Sequence, residues 1–427
     1  MLLFLLLPIE VFAENDSEMT ISAIACGSQG DSTLVESNGE YLLMDTCLDD
    51  DNNKVVSYLT NNGVTKFDLF LSHYHSDHYG KIYKIISDNN FKINKLYLPE
   101  IPPLIENSEN QATMKKWNDY IGYVKREVLS SILAKAKEKN IQVIYLAKGD
   151  TFKIGNSTAS VFGPIGTFDI NDFKTTSYDG TDLGHAINNY SLVTKITSGN
   201  ISYLTAGDIE KESEIRLLNS GVDLHADIMK LSHHGGLTSN TKTFLDAVNP
   251  KYTFYQYNVE TVFNNTEWTK TSVETANKFS NVLSTTYNGN ITYKILNDKI
   301  EVSAERNYKK FEIHYVDKET SKIIDSASYA FEPGTKYYLY DLEKNIKGYT
   351  FLETNASVSG DVIDDQIITV YYTKNKQEQK NEEDNASVIQ KISNVPNTGI
   401  STKHTYIYGI IMLIAGLLII KRIIIKD

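Results

Sequence analysis

The run FDLFLSHYHSDHYGK, residues 67–81, places His73, His75, Asp77 and His78 close together directly after an apolar segment. Neutral imidazole and carboxylate are the donors that zinc and related divalent ions take from proteins. Phe67 to Leu71 reads as a buried strand, so the cluster falls where that strand ends and a helix starts near Tyr79. Extended backbone across an H-x-H pair sends both rings to one side, and Asp77 and His78, beyond the turn, can address a second ion. Three other strand-like segments also end in residues with chemistry: YLLMDTC at Asp45, YLTAGDIE at Asp208, and MKLSHHGG at His233 and His234. Each has an ordinary explanation by itself, since Asp208 could cap a helix starting at Ile209 and the two imidazoles could sit in a loop. The segment CGSQGDS reads as a tight turn, with Asp31 and Ser32 opening the next strand.

The elements that must position these groups follow from periodicity. Strands are expected at about Thr20–Ala25, Ser32–Ser37 and Tyr41–Asp45, with Gly and Asn marking the turns. A short helix is expected at Lys54–Leu59. Between Glu109 and Lys139 the residues Trp117, Ile121, Val124, Val128 and Ile132 recur at helical spacing, which predicts one long helix or a pair with a core-facing stripe. Further strands are expected at Gln142–Leu146, Thr158–Phe162, Ser191–Ile196, Ile201–Ala206, Ile228–Ser232 and Tyr252–Tyr257. A helix near Thr271–Phe279 and a strand pair within residues 282–296 follow. This interleaving predicts a mixed α/β class.

At 427 residues, with 41% hydrophobic and 22% charged residues, the chain is expected to hold two folded domains and tails. A net charge of −12 disfavours a basic groove for nucleic acid, although bound metal would make a site locally positive. The 2 cysteines, Cys26 and Cys47, lie in no metal-ligand pattern. Each sits at the end of a neighbouring strand, which leaves open a disulfide in an oxidising exterior or two buried thiols.

Together with CGSQGDS and NNYSLV, the H-x-H-x-D-H, TAGD and HHGG blocks resemble the metallo-β-lactamase superfamily. Within it they are similar to the branch of the competence-related ComEC hydrolase domain and pneumococcal phosphorylcholine esterase. The resemblance spans about Thr20 to Ser303 and implies a four-layer αββα fold with two divalent ions, zinc or alternatively manganese. It implies that His73 and His75 bind the first ion and that Asp77 and His78 bind the second. Asp208 would bridge them, His234 or else His233 would complete the second site, and Asp45 would orient ligands from behind. The third place on the first ion falls to Asn188 or Asn189 of NNYSLV, with His185 as the rival. Two such ions about 3.5 to 4 Å apart ionise a shared water for attack, and Asp77 or Asp208 can carry the proton. The expected reaction is hydrolysis of a phosphodiester or a phosphorylated surface polymer. Lactone, ester or thioester hydrolysis is the alternative, and a surface adhesin with a non-catalytic metal domain is a third reading. Relatives of the ComEC branch often carry a further His and Pro after the strand at 252–257, which YNVETVFNNTEW lacks, so nucleic acid is not the favoured substrate.

Beyond residue 306 the character changes. HYVDKETSKI, KGYTFL and ITVYYT, in that order over residues 309–373, resemble a MucBP module, a small β-rich domain of bacterial surface proteins, which implies a glycan ligand. A polar linker is expected over 374–394. Val395, Pro396, Asn397, Thr398 and Gly399, then an apolar stretch at 406–420 and a Lys421–Arg422 tail, resemble a sortase sorting signal. That implies a C-terminal transmembrane helix, cleavage between Thr398 and Gly399, and attachment to cell-wall peptidoglycan of a Gram-positive bacterium. Residues 1–13 read as a signal peptide, either incomplete at its N-terminus or atypical, because no basic residue precedes the apolar run.

Overall fold

The computed structural model describes residues 18–27, 30–50, 52–103, 111–168, 182–257, 266–306, 309–331 and 333–375. The residues named above for the signal peptide, the sorting signal and the transmembrane stretch lie outside them. Among the described residues no helix is long and apolar enough to cross a membrane. Two compact units are present. Among the described residues, the first holds those from 18 to 314 together with 325–342 and 355–369, and the second holds 315–324, 343–354 and 370–375. The candidate site lies in the first unit.

Strands β1 (Glu18–Ala23), β2 (Thr33–Ser37), β3 (Glu40–Met44), β4 (Lys66–Phe70), β5 (Lys92–Pro99) and β6 (Gln142–Leu146) form one sheet with β14 (Ile291–Leu296) and β15 (Lys299–Ala304). Its order is β15-β14-β1-β2-β3-β4-β5-β6. A second sheet, in the order β13-β12-β11-β10-β9-β8-β7, holds β7 (Thr151–Ile154), β8 (Ser157–Gly163), β9 (Val193–Ser198) and β10 (Ile201–Thr205). It continues with β11 (Ile228–Lys230), β12 (Tyr252–Tyr255) and β13 (Asn281–Ser284).

Strand side chains alternate between faces, and here both faces are buried, so the apolar runs read as near-continuous. Leu42, Met44, Phe70 and Tyr97 of the first sheet meet Ile196, Tyr203, Ile228 and Phe254 of the second between the layers. Their sequence neighbours Leu43, Leu69, Leu71, Leu96 and Leu98 face outward onto a helical layer that includes Val55, Leu59, Ile82 and Ile85. On the far side Leu204, Met229 and Leu231 pack with Leu217, Phe244 and Leu245. The result is helix, sheet, sheet, helix. The expected stripe does face the core: Val124, Val128 and Ile132 are buried on a helical run of α4 (Gln111–Gly122), a π-helical turn (Tyr123–Leu129) and α5 (Ser130–Glu138).

Several elements carry too weak a period to be read in advance, among them β5, β7, β15 and α6 (Asp182–Asn189). The helix of the His cluster, α2 (Ser76–Tyr79), starts at Ser76 and not near Tyr79, because His75 is still extended and Asp77 occupies the first turn, where a carboxylate suits the helix N-terminus. From 309 on the described residues are mainly strand, with antiparallel pairs joining 335–338 to 359–362 and 349–354 to 366–374.

Cys26 and Cys47 form a disulfide across 21 residues, joining the loops that precede β2 and follow β3. Closing a loop of that size removes denatured-state entropy worth about 3 kcal/mol. Reduction, or the double substitution Cys26→Ser/Cys47→Ser, is expected to lower unfolding stability by about that amount. Urea titration with and without reductant measures it, and a midpoint indifferent to reductant would show that the bridge is not formed.

Candidate metal centre

Strand direction brings the chemistry together. β3 and β4 are parallel, as are β10, β11 and β12, so their carboxyl ends lie on one edge of each sheet. β2 runs antiparallel to β3, which brings Asp31, just ahead of it, to the same edge. Asp45, the 72–78 loop, Asp208, His233, His234 and Gln256 all follow these strand ends. Gln256 ties the two sheets, donating to Ile24 O (3.0 Å) and Ser32 O (2.7 Å). Two glycines permit close approach. A side chain at Gly30 would collide with the Asp77 carbonyl, and one at Gly207 would press on Ser191 and Ser72. Left-handed backbone also occurs at Asp45, His233 and His234, where each non-glycine residue costs about 1–3 kcal/mol. Such conformations persist where the surrounding structure imposes them, and they concentrate at functional sites.

Asp208 Oδ2 lies 3.1 Å from His78 Nε2, 3.2 Å from His234 Nε2 and 3.9 Å from His73 Nε2. Asp77 Oδ2 lies 3.1 Å from His234 Nε2 and 3.9 Å from His78 Nε2. Asp77, His78, Asp208 and His234 therefore present four donors around one point. Nearby, His73 Nε2 and His75 Nδ1 are 3.1 Å apart, the start of a second donor set.

The far nitrogens of the rings are held as well. Asp45 Oδ2 accepts from His78 Nδ1 (2.8 Å) and from Ser72 Oγ (2.6 Å), while its Oδ1 accepts from Ser72 N (2.7 Å). Ser72 Oγ in turn lies 3.0 Å from His73 Nδ1. Asp31 Oδ1 and Gln256 O each lie 3.1 Å from His234 Nδ1. Asp31, His78, Asp208 and His234 can all offer donor atoms within 4.8 Å of one another, but Asp31 approaches His234 from the rear of the ring, as Asp45 approaches His78. This is the arrangement by which outer carboxylates fix the tautomer of a ligating imidazole.

The donor set fits a cation. His78 and His234 each point both nitrogens at carboxylate oxygens, and a neutral ring can donate to only one of them. Either both rings are protonated, or a cation lies between Nε2 and Asp208. Ligands at 2.0–2.1 Å around a tetrahedral zinc stand about 3.3 Å apart, close to the 3.1 and 3.2 Å separations here. Without metal, burial disfavours charge on His78 and His234, but Asp208, joined by Asp45 and Asp77 at His78 and by Asp31 at His234, outweighs it and holds both well above the usual imidazole range. Burial keeps His73 and His75 below that range, in the neutral form that binds metal.

Among the candidates for the third place on the first ion, Asn188 stands out. Its Nδ2 donates to Glu210 Oε1 (2.9 Å), which fixes the amide orientation, and its Oδ1 is buried with no hydrogen-bond partner among the described residues. Asn189 Oδ1 accepts from Glu210 N (3.3 Å), and His185 Nδ1 is bound to Glu210 Oε2 (2.6 Å). His233 stands beside the cluster, with Nδ1 2.8 Å from Thr238 Oγ1 and its ring edge-on to Trp268. Sequence reasoning did not find Asp31, Glu210, Lys230 or Gln256 as site residues. The available signal was a set of charged or amide residues at the ends of apolar strands.

Helix α7 (Lys211–Asn219) clamps the turn that carries His234. Glu214 accepts from Asn240 N (2.5 Å) and Thr241 N (3.0 Å), and the Asn240 side chain bonds Ser232 N and O. Burial pushes the Glu214 carboxyl up from 4.5 to about 7. An acid with a raised folded pKa contributes stability that is complete below the unfolded value and is lost as pH climbs through the folded one. Compared with a Glu214→Gln variant, the native chain is expected to lose roughly 3 kcal/mol between pH 4.5 and 7. Thermal unfolding of both proteins across that range checks it, and parallel curves would refute it. Asp45→Asn and Asp31→Asn are each expected to weaken binding of the ion held by His78 and His234 by roughly 10–100-fold. Chelator competition reads this directly, and unchanged affinity would remove these carboxylates from the centre.

Residues 27–257 match the Metallo-beta-lactamase superfamily. ComE operon protein 3 of Bacillus subtilis (strain 168) is 24% identical over 198 residues, which is 46% of this chain and 21% of that protein. Competence protein ComA of Neisseria gonorrhoeae is 35% identical over 66 residues, 15% of this chain and 10% of that protein. The chain thus spans at most about a fifth of the length of these relatives. Similar solved structures include CmlA, a diiron beta-hydroxylase from Streptomyces venezuelae, with TM-score 0.40 and 12% identity, covering 65% of this chain and 54% of that one. The metallo-beta-lactamase fold protein YhfI from Bacillus subtilis gives TM-score 0.38 and 13% identity, covering 65% of this chain and 100% of that one. Since the superfamily match takes in the strand-end loops that carry all of the clustered donors, the chain belongs to the metallo-β-lactamase superfamily.

Proposed function

We propose that this protein is a cell-surface, metal-dependent hydrolase acting on a phosphodiester or a phosphorylated surface polymer. The observation that carries the reading is the meeting of His73, His78 and His234 at one oxygen of Asp208, with His75 beside His73 and Asp77 beside His234 and His78. When bound, a pair of divalent ions, zinc or manganese, supplies Lewis acidity and an ionised water at neutral pH. The chain holds the imidazoles in register through Asp45, Ser72 and Asp31, and no side-chain nucleophile is needed. Asp77 is the more open of the two carboxylates, 13% exposed against 2% for Asp208, and Asp208 is engaged through both oxygens. Asp77 is therefore the residue that accepts and returns the proton.

The substrate class rests on the TAGD and HHGG blocks, which resemble phosphoesterase relatives. The surface location rests on the signal-like start and the sorting-signal order at 395–422, and the disulfide supports an oxidising compartment. The partners that follow are peptidoglycan, through sortase, and a glycan for the MucBP-like module.

The test is turnover by the purified full chain, with zinc or manganese, of chromogenic phosphodiesters against lactones and carboxylic esters. Phosphodiester cleavage is expected, abolished by chelator and reduced beyond about 100-fold by Asp208→Asn, since losing a shared ligand exceeds losing an outer partner. Lactone turnover without phosphodiester turnover would overturn the substrate class. A purified chain that binds no metal would overturn the enzyme reading in favour of an adhesin.

A further inference from the structure

Lys230 occupies an unusual place for a lysine. It lies in β11 in the alternate row that faces between the sheets, where Ile228 two residues earlier is part of the apolar core, and it is only 2% exposed. A buried ammonium is tolerated only against anions or carbonyls. Lys230 Nζ pairs with Asp31 Oδ2, lies 3.6 Å from Asp208 Oδ1, and donates to Gly207 O (3.1 Å) and Leu231 O (3.4 Å). Neither Asp31 Oδ2 nor Asp208 Oδ1 has a hydrogen-bond partner among the described residues, so this ammonium compensates both. The nearest other cationic group at Asp31 Oδ2 is His78 Nδ1, 3.9 Å away.

We propose that Lys230 is a positioning residue that divides the oxygens of Asp208, holding Oδ1 so that Oδ2 alone is shared between the His73/His75 pair and the Asp77/His78/His234 set. The inference rests on the metal-centre reading above. With Oδ1 held, Asp208 cannot turn to grip one ion with both oxygens and leave the other short of a donor. The same ammonium holds Asp31 Oδ2, which leaves Asp31 Oδ1 on His234 Nδ1 and away from the ions. Without it, two buried carboxylates lose their compensation, and Asp208 is drawn as a chelate onto the ion held by His78 and His234. The ion held by His73 and His75 is then the one that weakens.

The experiment is manganese titration of the full chain by equilibrium dialysis, with electron paramagnetic resonance reporting the spin coupling of a bridged pair. The native chain is expected to take a coupled pair. Lys230→Met is expected to keep one tight ion, to weaken the other by at least about tenfold, and to lose the coupled spectrum. A merely structural lysine would lower thermal stability while leaving both affinities within about threefold and the coupling intact, and that result overturns the proposal. Should Lys230→Met not fold, Lys230→Met/Asp31→Asn is compared with Asp31→Asn alone: a further loss of at least about tenfold at the ion held by His73 and His75, with loss of the coupled spectrum, is expected, and no further loss overturns the proposal. A native chain that binds neither manganese nor zinc overturns the metal-centre reading and this inference with it.

Discussion

A single carboxylate oxygen, Asp208 Oδ2, faces imidazoles delivered by the ends of strands in both sheets, and the rest of the fold is arranged so that this can happen. His73 and His78 come from the loop after β4 in one sheet, and His234 from the turn after β11 in the other. For the three rings to reach one oxygen, the sheets must be packed face to face with their carboxyl edges level. The inter-sheet core of Phe70, Tyr203, Ile228 and Phe254 sets that packing. Dispersion and burial are non-directional, so they provide the driving force but not the register. The register comes from the hydrogen-bonded ladders and from polar ties such as Gln256, which reaches across to Ile24 and Ser32.

The second constraint is charge. Asp31, Asp45, Asp77 and Asp208 converge in a region almost free of solvent, where a carboxylate without a cation or hydrogen-bond donors would be protonated or expelled. The chain answers with imidazoles that each bridge two carboxylates, with backbone and hydroxyl donors from Ser72, and with one ammonium. A bound cation would complete the compensation in a way that protonated imidazoles do only partly, so the donor set reads as a candidate metal centre. The same logic explains the left-handed backbone at Asp45 and His234, since the local cost is small beside that of leaving a buried charge unmet.

The disulfide and Glu214 serve this geometry at one remove. Cys26–Cys47 ties together the loops that bear Asp31 and Asp45, the two carboxylates behind His234 and His78. Glu214 ties the turn after His234 to helix α7. Both act on the outer layer of the centre, whose members fix orientation while other residues meet the ions.

Much of this was legible in the chain. His73, His75, Asp77 and His78 announce metal chemistry because their donor types and their place after an apolar run are local properties, and the strand-end positions of Asp45, Asp208 and His234 follow the same pattern. The αββα layering was implied by resemblance, and near-continuous apolar strands are consistent with it. Resemblance alone placed His234 ahead of His233 and an Asn of NNYSLV ahead of His185, and it left Asn188 and Asn189 level, since the direction of adjacent side chains depends on backbone angles that no period encodes. By sequence Asp31 only opens a strand after a turn and Lys230 is one residue of an apolar strand, because the partners of each lie far away along the chain. Donor chemistry belongs to residues and is written in their order. Which oxygen meets which nitrogen depends on register between strands and packing between sheets, and only the folded structure decides it.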